Sequence, residues 1–151
     1  MKRIFTMAAI AVMAMAAASC GSSTEKSAEA EVSSVVASVE AGIDSAKVAV
    51  VYFHGDRRCK TCVAVEKNAR ATVEKLSANG ANVKFFEVNA DRSEATQLVT
   101  KYQVVGSSLL VIANGEVSNI TSEFFPLGKD GAAFEKALTE WIGLLTGSTA
   151  E

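Results

Sequence analysis

The apolar run Val48-Ala49-Val50-Val51-Tyr52-Phe53 is followed, after three residues, by the motif Arg57-Arg58-Cys59-Lys60-Thr61-Cys62. The run is rich in β-branched and aromatic residues, which predicts a buried strand. Apolar residues at helical spacing then continue from the motif to Leu76, and Asn79-Gly80 marks the end of the predicted helix. The two cysteines therefore lie at a strand-to-helix junction, with the first of them at the helix N-terminus.

The segments on either side of this junction complete an α/β domain. Asn114-Gly115 is the strongest short hairpin signal, and Asp91 or Ser93 is expected to cap a short helix. The further predicted elements are a helix with an apolar stripe of Val32, Val35, Val36, Val39 and Ile43, strands at Val83–Asn89, Leu109–Ala113 and Glu116–Ile120, a helix at Ser93–Tyr102, and a C-terminal helix from Asp130 to Gly147. This order predicts a central mixed four-stranded sheet covered by helices on both faces.

The N-terminus has the pattern of a secretory signal. Lys2 and Arg3 precede an apolar run from Ile4 to Ala18 that is interrupted only by Thr6. This run is shorter than the roughly 18 to 20 apolar residues that a membrane-spanning helix needs. We therefore predict that residues 1–19 are a signal peptide.

Cys20 follows the small residues Ala17-Ala18-Ser19. A cysteine in this position resembles the lipobox of bacterial lipoproteins, although Ala17 stands where that motif usually has Leu. The resemblance implies that Cys20 becomes the first mature residue and carries lipid; ordinary cleavage that leaves an unmodified thiol is the alternative. Residues 20–46 are then a lipid-anchored tether with a short amphipathic helix, and residues 47–147 form the folded domain.

Composition and charge narrow the range of partners. The chain has 151 residues, 49% of them hydrophobic and 21% charged, with a formal net charge of −2. These values are typical of one globular domain and not of a protein that binds nucleic acid through a cationic surface, so we expect no nucleic-acid partner. All four methionines lie at or before Met15, so a chain without its signal peptide has no thioether ligand for copper.

The cysteine pair carries the predicted chemistry. Unpaired backbone N–H groups and the helix dipole stabilise a thiolate at a helix N-terminus, which lowers the pKa of the Cys59 thiol. The cations Arg57, Arg58 and Lys60 act in the same direction, unless the two arginines are simply solvated loop charges. Cys62 is one turn further along and more buried, so we expect it to resolve a mixed disulfide formed by Cys59.

Further segments resemble landmarks of the thioredoxin superfamily in the same order. They are Val50-Val51-Tyr52-Phe53, Val83-Lys84-Phe85-Phe86-Glu87-Val88-Asn89, Lys101-Tyr102-Gln103-Val104 and Asn114-Gly115-Glu116-Val117, and the resemblance covers roughly Lys47 to Leu145. More narrowly, Tyr52-Phe53-His54 with Arg58-Cys59-Lys60-Thr61-Cys62 resembles a thioredoxin-like group of microbial proteins that have Phe-His before an Arg-Cys-x-Thr-Cys motif.

The resemblance implies a thioredoxin-like fold and a thiol–disulfide oxidoreductase that acts on protein thiols or disulfides. Together with the signal, it implies a lipid-anchored protein of the bacterial cell envelope that faces the periplasm. A membrane electron donor or acceptor would be its partner there. No Gly-rich strand-to-helix turn for a nucleotide or flavin is visible, so we expect no cofactor.

Three positions depart from the thioredoxin pattern. Lys60-Thr61 replaces the Gly-Pro between the cysteines, so the redox potential of the family does not carry over. Ser108, or alternatively Ser107, stands where the family has a cis-proline that excludes metal from the cysteine pair and shapes the substrate groove. With one extra loop residue allowed, Tyr52 stands where the family has a buried acid beneath the active site.

His54 is the single histidine of the chain. A histidine near the pair could move protons or stabilise the thiolate, or it could simply pack at the end of the strand. With Cys59 and Cys62 it would supply three metal ligands, so a metal-binding or non-catalytic thioredoxin-like lipoprotein is the alternative function. A closed zinc site needs a fourth ligand, and Val63 after the cysteines excludes covalent haem attachment. We therefore expect no resident metal.

The anchoring hypothesis predicts that Cys20→Ser releases the protein from the membrane. More than one acyl chain holds a protein firmly on a bilayer, whereas the unmodified chain has no such anchor. Detergent phase partitioning of the wild type and the variant measures this, with wild type expected in the detergent phase and the variant in the aqueous phase. A wild type that is found entirely in the aqueous phase would contradict lipidation.

Overall fold

The structure, a computed structural model, describes residues 36–147. The predicted signal peptide, Cys20 and most of the predicted tether lie outside these residues. The described elements are, in chain order, α1 (residues 36–45), β1 (Val48–His54), α2 (Lys60–Ala78), β2 (Val83–Asn89), α3 (Thr96–Lys101), β3 (Ser108–Ala113), β4 (Glu116–Asn119), α4 (Thr121–Phe124) and α5 (Gly131–Thr146), with 3₁₀ turns at Ser93–Ala95 and Pro126–Lys129. None of the helices within 36–147 is both long and apolar enough to cross a membrane.

The four strands form one mixed sheet in the order β2-β1-β3-β4. β1 pairs in parallel with β2, where Tyr52 lies opposite Glu87, and antiparallel with β3, where Phe53 lies opposite Ser108. β3 and β4 form the predicted hairpin, and Asn114-Gly115 adopts the positive φ angles that such a tight turn requires. A mixed sheet of this order, flanked by helices, confirms the predicted thioredoxin-like fold.

Strand β1 is buried along its whole length, as its unbroken apolar run predicts. Successive side chains point to opposite faces of a sheet, so β1 contributes to two cores. Val50 and Tyr52 pack with α2 and α5 on one face, whereas Val51 and Phe53 pack with α1 and α3 on the other. Ile43 of α1 is buried in this second core. The cysteine motif follows directly from the most deeply buried strand.

The helix caps agree with the prediction at one helix and differ at another. The Asp130 carboxylate accepts the N–H of Ala133 at 3.0 Å, and Gly147 ends α5 with a φ of 69°, both as predicted. The helical segment after β2 begins without a side-chain cap, so the predicted cap there is wrong. The Asp91 carboxylate accepts the backbone N–H of Asp56 instead.

The segment between β4 and α5, for which the sequence predicts no element, packs against the start of α2. A Cβ at Gly128 would lie 2.9 Å from Val65 Cγ2 and 3.3 Å from Thr61 Cγ2. The carbonyl oxygen of Gly128 also accepts a hydrogen bond of 3.1 Å from Asn68. Glycine at this position therefore lets Pro126–Lys129 lie directly on the first turns of the cysteine-bearing helix.

We expect Gly128→Ala to lower the free energy of unfolding by about 1–3 kcal/mol, because the added methyl group would overlap the fully buried side chain of Val65. Urea unfolding of the oxidised protein measures the change. Gly131→Ala is the matched control, since its Cβ would meet Asn68 Oδ1 at an ordinary 3.4 Å and alanine favours the helix. Equal destabilisation by the two variants would contradict this packing.

Candidate active site

Cys59 and Cys62 are joined by a disulfide, with their Cα atoms 5.0 Å apart. Cys59 directly precedes α2 and is exposed. Cys62 lies in the first turn of the helix and is only 8% exposed. Of the two sulfurs, Cys59 Sγ is therefore the one that a second molecule can approach.

The side chain of Cys59 caps the N-terminus of α2. Its sulfur accepts a hydrogen bond of 3.0 Å from the backbone N–H of Cys62, and its carbonyl accepts the N–H of Val63 at 3.0 Å. The first N–H groups of a helix lack partners within the helix, and they favour negative charge in front of them. The geometry is therefore suited to a Cys59 thiolate when the pair is reduced.

Tyr52 of β1 supports the pair from the core. Its side chain is fully buried, and its hydroxyl donates a hydrogen bond of 2.9 Å to the carbonyl oxygen of Cys62. Burial raises the pKa of the Tyr52 phenol above its ordinary value of 10.0. The positive charge of Arg58 and hydrogen bonding with Ser107 offset part of the pKa rise, and the negative charge of Glu87 adds to it. Tyr52 is therefore a protonated donor at neutral pH.

The motif is tied to an ion-pair network that joins α2, β1 and β2. Arg58 pairs with Glu66 through one guanidinium nitrogen, and its other nitrogen lies 3.5 Å from Glu87. Arg70 contacts the same two carboxylates, at 2.9 Å for Glu66 and 2.5 Å for Glu87. His54 Nε2 lies 2.8 Å from Glu87 Oε1. The charge of Arg58 is therefore shared with two carboxylates and does not stand unpaired beside the cysteines.

His54 has a hydrogen-bond acceptor at each ring nitrogen. Nδ1 lies 2.9 Å from the carbonyl oxygen of Gly55, and Nε2 lies 2.8 Å from the Glu87 carboxylate. A neutral imidazole carries one N–H, so only the doubly protonated ring can donate to both acceptors. The ring also stacks on Tyr52, with centroids 6.0 Å apart. His54 therefore contacts the network, and its hydrogen-bond partners are not the cysteines.

The three candidate metal ligands do not come together. Within residues 36–147, no three His, Cys, Asp or Glu side chains are arranged to hold a metal ion. Cys59 and Cys62 are bonded to each other, and both nitrogens of His54 are engaged elsewhere. The metal-binding alternative therefore has no ligand set in this part of the chain.

The loop between β1 and α2 is fixed from the side of β2. Asp91 accepts the backbone N–H of Asp56 at 2.7 Å, and the Asp56 carboxylate in turn accepts Asn89 Nδ2 at 2.7 Å and pairs with Arg92 at 3.1 Å. A Cβ at Gly55 would lie 2.6 Å from the Asp91 carboxylate, so glycine permits this close approach. The contacts hold the loop that leads into the cysteine motif.

The remaining cations of the motif are exposed, whereas its threonine packs against another segment. Arg57 and Lys60 are exposed, and no carboxylate of the described residues forms an ion pair with either of them. Thr61 is half-buried against Gly128. Of the three predicted cations, Arg58 is thus the one that carboxylates within residues 36–147 bind.

The two serines at the position of the missing proline have different surroundings. Ser108 is buried at the start of β3, opposite Phe53, and its hydroxyl lies 3.4 Å from the carbonyl oxygen of Gly106. Ser107 lies near the phenol of Tyr52 and acts to lower its pKa, against the larger effect of burial. Ser108 is therefore part of the buried sheet, whereas Ser107 lies beside the Tyr52 phenol.

Three residues of the network, Glu66, Arg70 and Glu87, are not predicted as site residues from the sequence. Glu66 and Arg70 are four residues apart on a predicted helix, which is the spacing of a helical ion pair and was the available signal. The contacts of Glu87 follow from the pairing of β1 with β2, which places it opposite Tyr52. That register is a property of the folded sheet.

No protein-family model and no curated protein matches the chain. Among solved structures, it is similar to the oxidized form of mitochondrial thioredoxin 3 from Saccharomyces cerevisiae, with a TM-score of 0.49 and 15% identity over 70% of this chain and 89% of that one. It is also similar to the reduced thioredoxin pre-protein of Schistosoma mansoni, with a TM-score of 0.41 and 21% identity over 66% and 89% of the two chains. The fold assignment itself rests on the strand order and pairing of this chain.

Tyr52→Phe tests the buried phenol. At about pH 8 we expect the free energy of unfolding to fall by about 1 kcal/mol, because the hydrogen bond to the Cys62 carbonyl is lost. Above about pH 10 the phenol ionises in the unfolded chain, whereas its raised pKa keeps it protonated in the fold. Wild type therefore loses stability as the pH rises through this value, and the variant lacks this loss.

Urea unfolding of oxidised wild type and Tyr52→Phe at about pH 8 and about pH 10.5 measures both effects. The stability difference between the two proteins is expected to shrink at the higher pH. A difference that stays constant would show that the Tyr52 phenol ionises alike in the folded and unfolded chains.

Proposed function

We propose that the protein is a thiol–disulfide oxidoreductase whose reactive pair is Cys59 and Cys62. The observation that carries the proposal is the placement of the exposed Cys59 sulfur at the N-terminus of α2, bonded to a buried Cys62 and capped by its N–H. This placement supports a division of labour in which Cys59 meets the substrate and Cys62 completes the exchange.

In the reductive direction, the Cys59 thiolate attacks one sulfur of a substrate disulfide. A bond between Cys59 and the substrate forms, and the second substrate sulfur leaves as a thiolate. The Cys62 thiolate then attacks Cys59 Sγ, which forms the intramolecular disulfide and releases the other substrate thiolate. Two electrons pass from the cysteine pair to the substrate, and the protons of the two cysteine thiols end on the released thiols. The reverse sequence oxidises a substrate dithiol.

The surrounding residues have distinct roles in this reaction. Lys60 directly follows Cys59 and has no ion-pair partner among the described residues, so its charge favours the thiolate. Arg58 acts more weakly, because Glu66 and Glu87 share its charge. The hydroxyl of Tyr52 holds the main chain of Cys62 in place, which keeps the resolving thiol under Cys59.

We further propose that the chain belongs with the thioredoxin-like proteins that have Phe-His before an Arg-Cys-x-Thr-Cys motif. His54 and Arg58 are two residues that set this motif apart, and both contact the carboxylate of Glu87. Glu87 thereby connects the end of β1 to the residue before the nucleophile. This shared contact supports a joint structural role for the histidine and the arginine.

The site of action that we propose is the bacterial cell envelope, with the protein anchored by lipid on Cys20 and facing the periplasm. The signal pattern before Cys20 supports this location, and disulfide exchange suits an oxidising compartment. The partners would be protein thiols or disulfides, together with a membrane electron donor or acceptor that resets the pair.

Trapping with cysteine variants tests the function. Cys62→Ser should accumulate mixed disulfides with substrate proteins in the native compartment, because no thiol remains to resolve them. Cys59→Ser should accumulate about tenfold fewer, since the remaining Cys62 is buried. Non-reducing electrophoresis of both variants measures this, with the double variant Cys59→Ser/Cys62→Ser as the background.

The order of alkylation gives an independent check on the nucleophile. In the reduced protein, iodoacetamide is expected to modify Cys59 before Cys62, as followed by peptide mass analysis. Trapping chiefly by Cys59→Ser, or faster alkylation of Cys62, would overturn the assignment. Absence of adducts with both single variants would leave a non-catalytic thioredoxin-like module as the better account.

A further inference from the structure

We propose that this site selects disulfides that carry negative charge beside the reacting sulfur, as in proteins whose cysteines are flanked by acidic residues. The proposal rests on the thiol–disulfide exchange proposed above and names the substrate class of the same site. It follows from the cationic rim, defined here as the exposed side chains of Arg57 and Lys60 on either side of Cys59.

The cationic rim flanks, along the chain, the residue that a substrate must approach. Arg57 lies two residues before Cys59 and Lys60 directly after it, and all three residues are exposed. No carboxylate of residues 36–147 forms an ion pair with either cation. A disulfide that reaches Cys59 therefore comes close to two positive charges that no carboxylate of the described residues pairs with.

The carboxylates near the motif have partners other than the cationic rim, and the Asp91 carboxylate accepts the backbone N–H of Asp56. Asp56 pairs with Arg92 and accepts a hydrogen bond from Asn89. Glu66 and Glu87, the carboxylates of the network, are engaged by the guanidinium groups of Arg58 and Arg70, and Glu87 also by His54. The network thus satisfies its own charges, and within residues 36–147 it leaves the cationic rim without an ion pair.

The local charge contrasts with the charge of the domain. Residues 36–147 contain 12 Lys and Arg against 13 Asp and Glu, a formal charge of −1. A positive rim on a nearly neutral domain attracts anionic groups to one place and does not bind anions in general. Two such charges at roughly 8 Å in water raise the rate of exchange with a dianionic disulfide, relative to a neutral one, by about 3-fold at low salt.

The selection acts on the first step of exchange. The Cys59 thiolate attacks a substrate sulfur, the Cys59–substrate bond forms, and the second substrate sulfur leaves as a thiolate that takes up a proton. Cys62 then displaces the first substrate sulfur, so that one reduced protein reduces one disulfide. A single turnover with prereduced protein therefore needs no other reductant.

The test compares three small disulfides of similar size in single turnovers of the full chain: dithiodipropionate, which is dianionic, hydroxyethyl disulfide, which is neutral, and cystamine, which is dicationic. Two ratios of reaction rates are measured. The anionic-to-neutral ratio divides the rate with dithiodipropionate by the rate with hydroxyethyl disulfide, and the cationic-to-neutral ratio divides the rate with cystamine by the same reference. Comparing each ratio between wild type and variant cancels the reactivity of the leaving groups and any change in the fraction of Cys59 thiolate.

The decisive variant is Arg57→Gln/Lys60→Gln. Its anionic-to-neutral ratio is expected to fall by about 3-fold at low salt, while its cationic-to-neutral ratio rises. The matched control is Lys67→Gln/Lys84→Gln, which removes two exposed lysines that also have no ion pair among the described residues and changes the net charge equally. This control should leave both ratios unchanged.

Ionic strength provides a second measurement that needs no variant. Between about 0.02 M and about 0.5 M salt, the anionic-to-neutral ratio of wild type should fall toward that of Arg57→Gln/Lys60→Gln, because salt screens exposed charges. Equal ratios for the wild type and both double variants, with all three disulfides reduced, would overturn the charge selection and leave the oxidoreductase proposal intact. A reduced chain that reacts with none of the three disulfides would contradict both.

Discussion

The hydrogen bond from the Cys62 N–H to Cys59 Sγ is the interaction on which the rest of the site depends. It places the exposed sulfur at the positive end of a helix of 19 residues and keeps the buried sulfur within bonding distance of it. The helix can present this end to solvent because Val65 and Ala69, one and two turns further on, are completely buried against the sheet. A reactive thiol on the surface is thus held by the core of the domain.

The polar contacts around the N-terminus of α2 have two separate effects. The neutral phenol of Tyr52 is the hydrogen-bond donor at the buried position beneath the cysteine pair. An unpaired carboxylate therefore does not have to be buried there, which would cost free energy. The ion-pair network joins α2 to β2 and consists of Glu66, Glu87, Arg58 and Arg70. Its two carboxylates compensate the charge of Arg58, the arginine nearest the nucleophile. Arg57 and Lys60, which have no ion pair among the described residues, are exposed, so the charges that join α2 to β2 differ from those at the surface beside Cys59.

Most of the fold could be predicted from the sequence because its signals are local. The apolar run of β1, the Asn114-Gly115 turn and the Asp130 cap each act over a few residues, and all three are found in the structure. The cysteine pair could also be predicted from the sequence, since two cysteines at a strand-to-helix junction have few other arrangements. The features that could not be predicted depend on the register between strands and on which of several possible partners a side chain binds. Asp91 or Ser93 was expected as a cap, but the Asp91 carboxylate binds the N–H of Asp56 in the loop after β1, and Glu87 gains its contacts from the pairing of β1 with β2.

The reduction potential of the Cys59–Cys62 pair tests the central claim most directly. The protein is equilibrated in glutathione buffers of graded ratio, quenched by alkylation, and the fraction of reduced pair is read by mass. The account predicts a reversible two-electron transition with a midpoint between about −270 and −120 mV, the range of catalytic pairs, because a thiolate stabilised at the helix N-terminus favours the reduced state. A midpoint below about −300 mV, which is typical of structural disulfides, or a pair that never reaches equilibrium with glutathione, would contradict it.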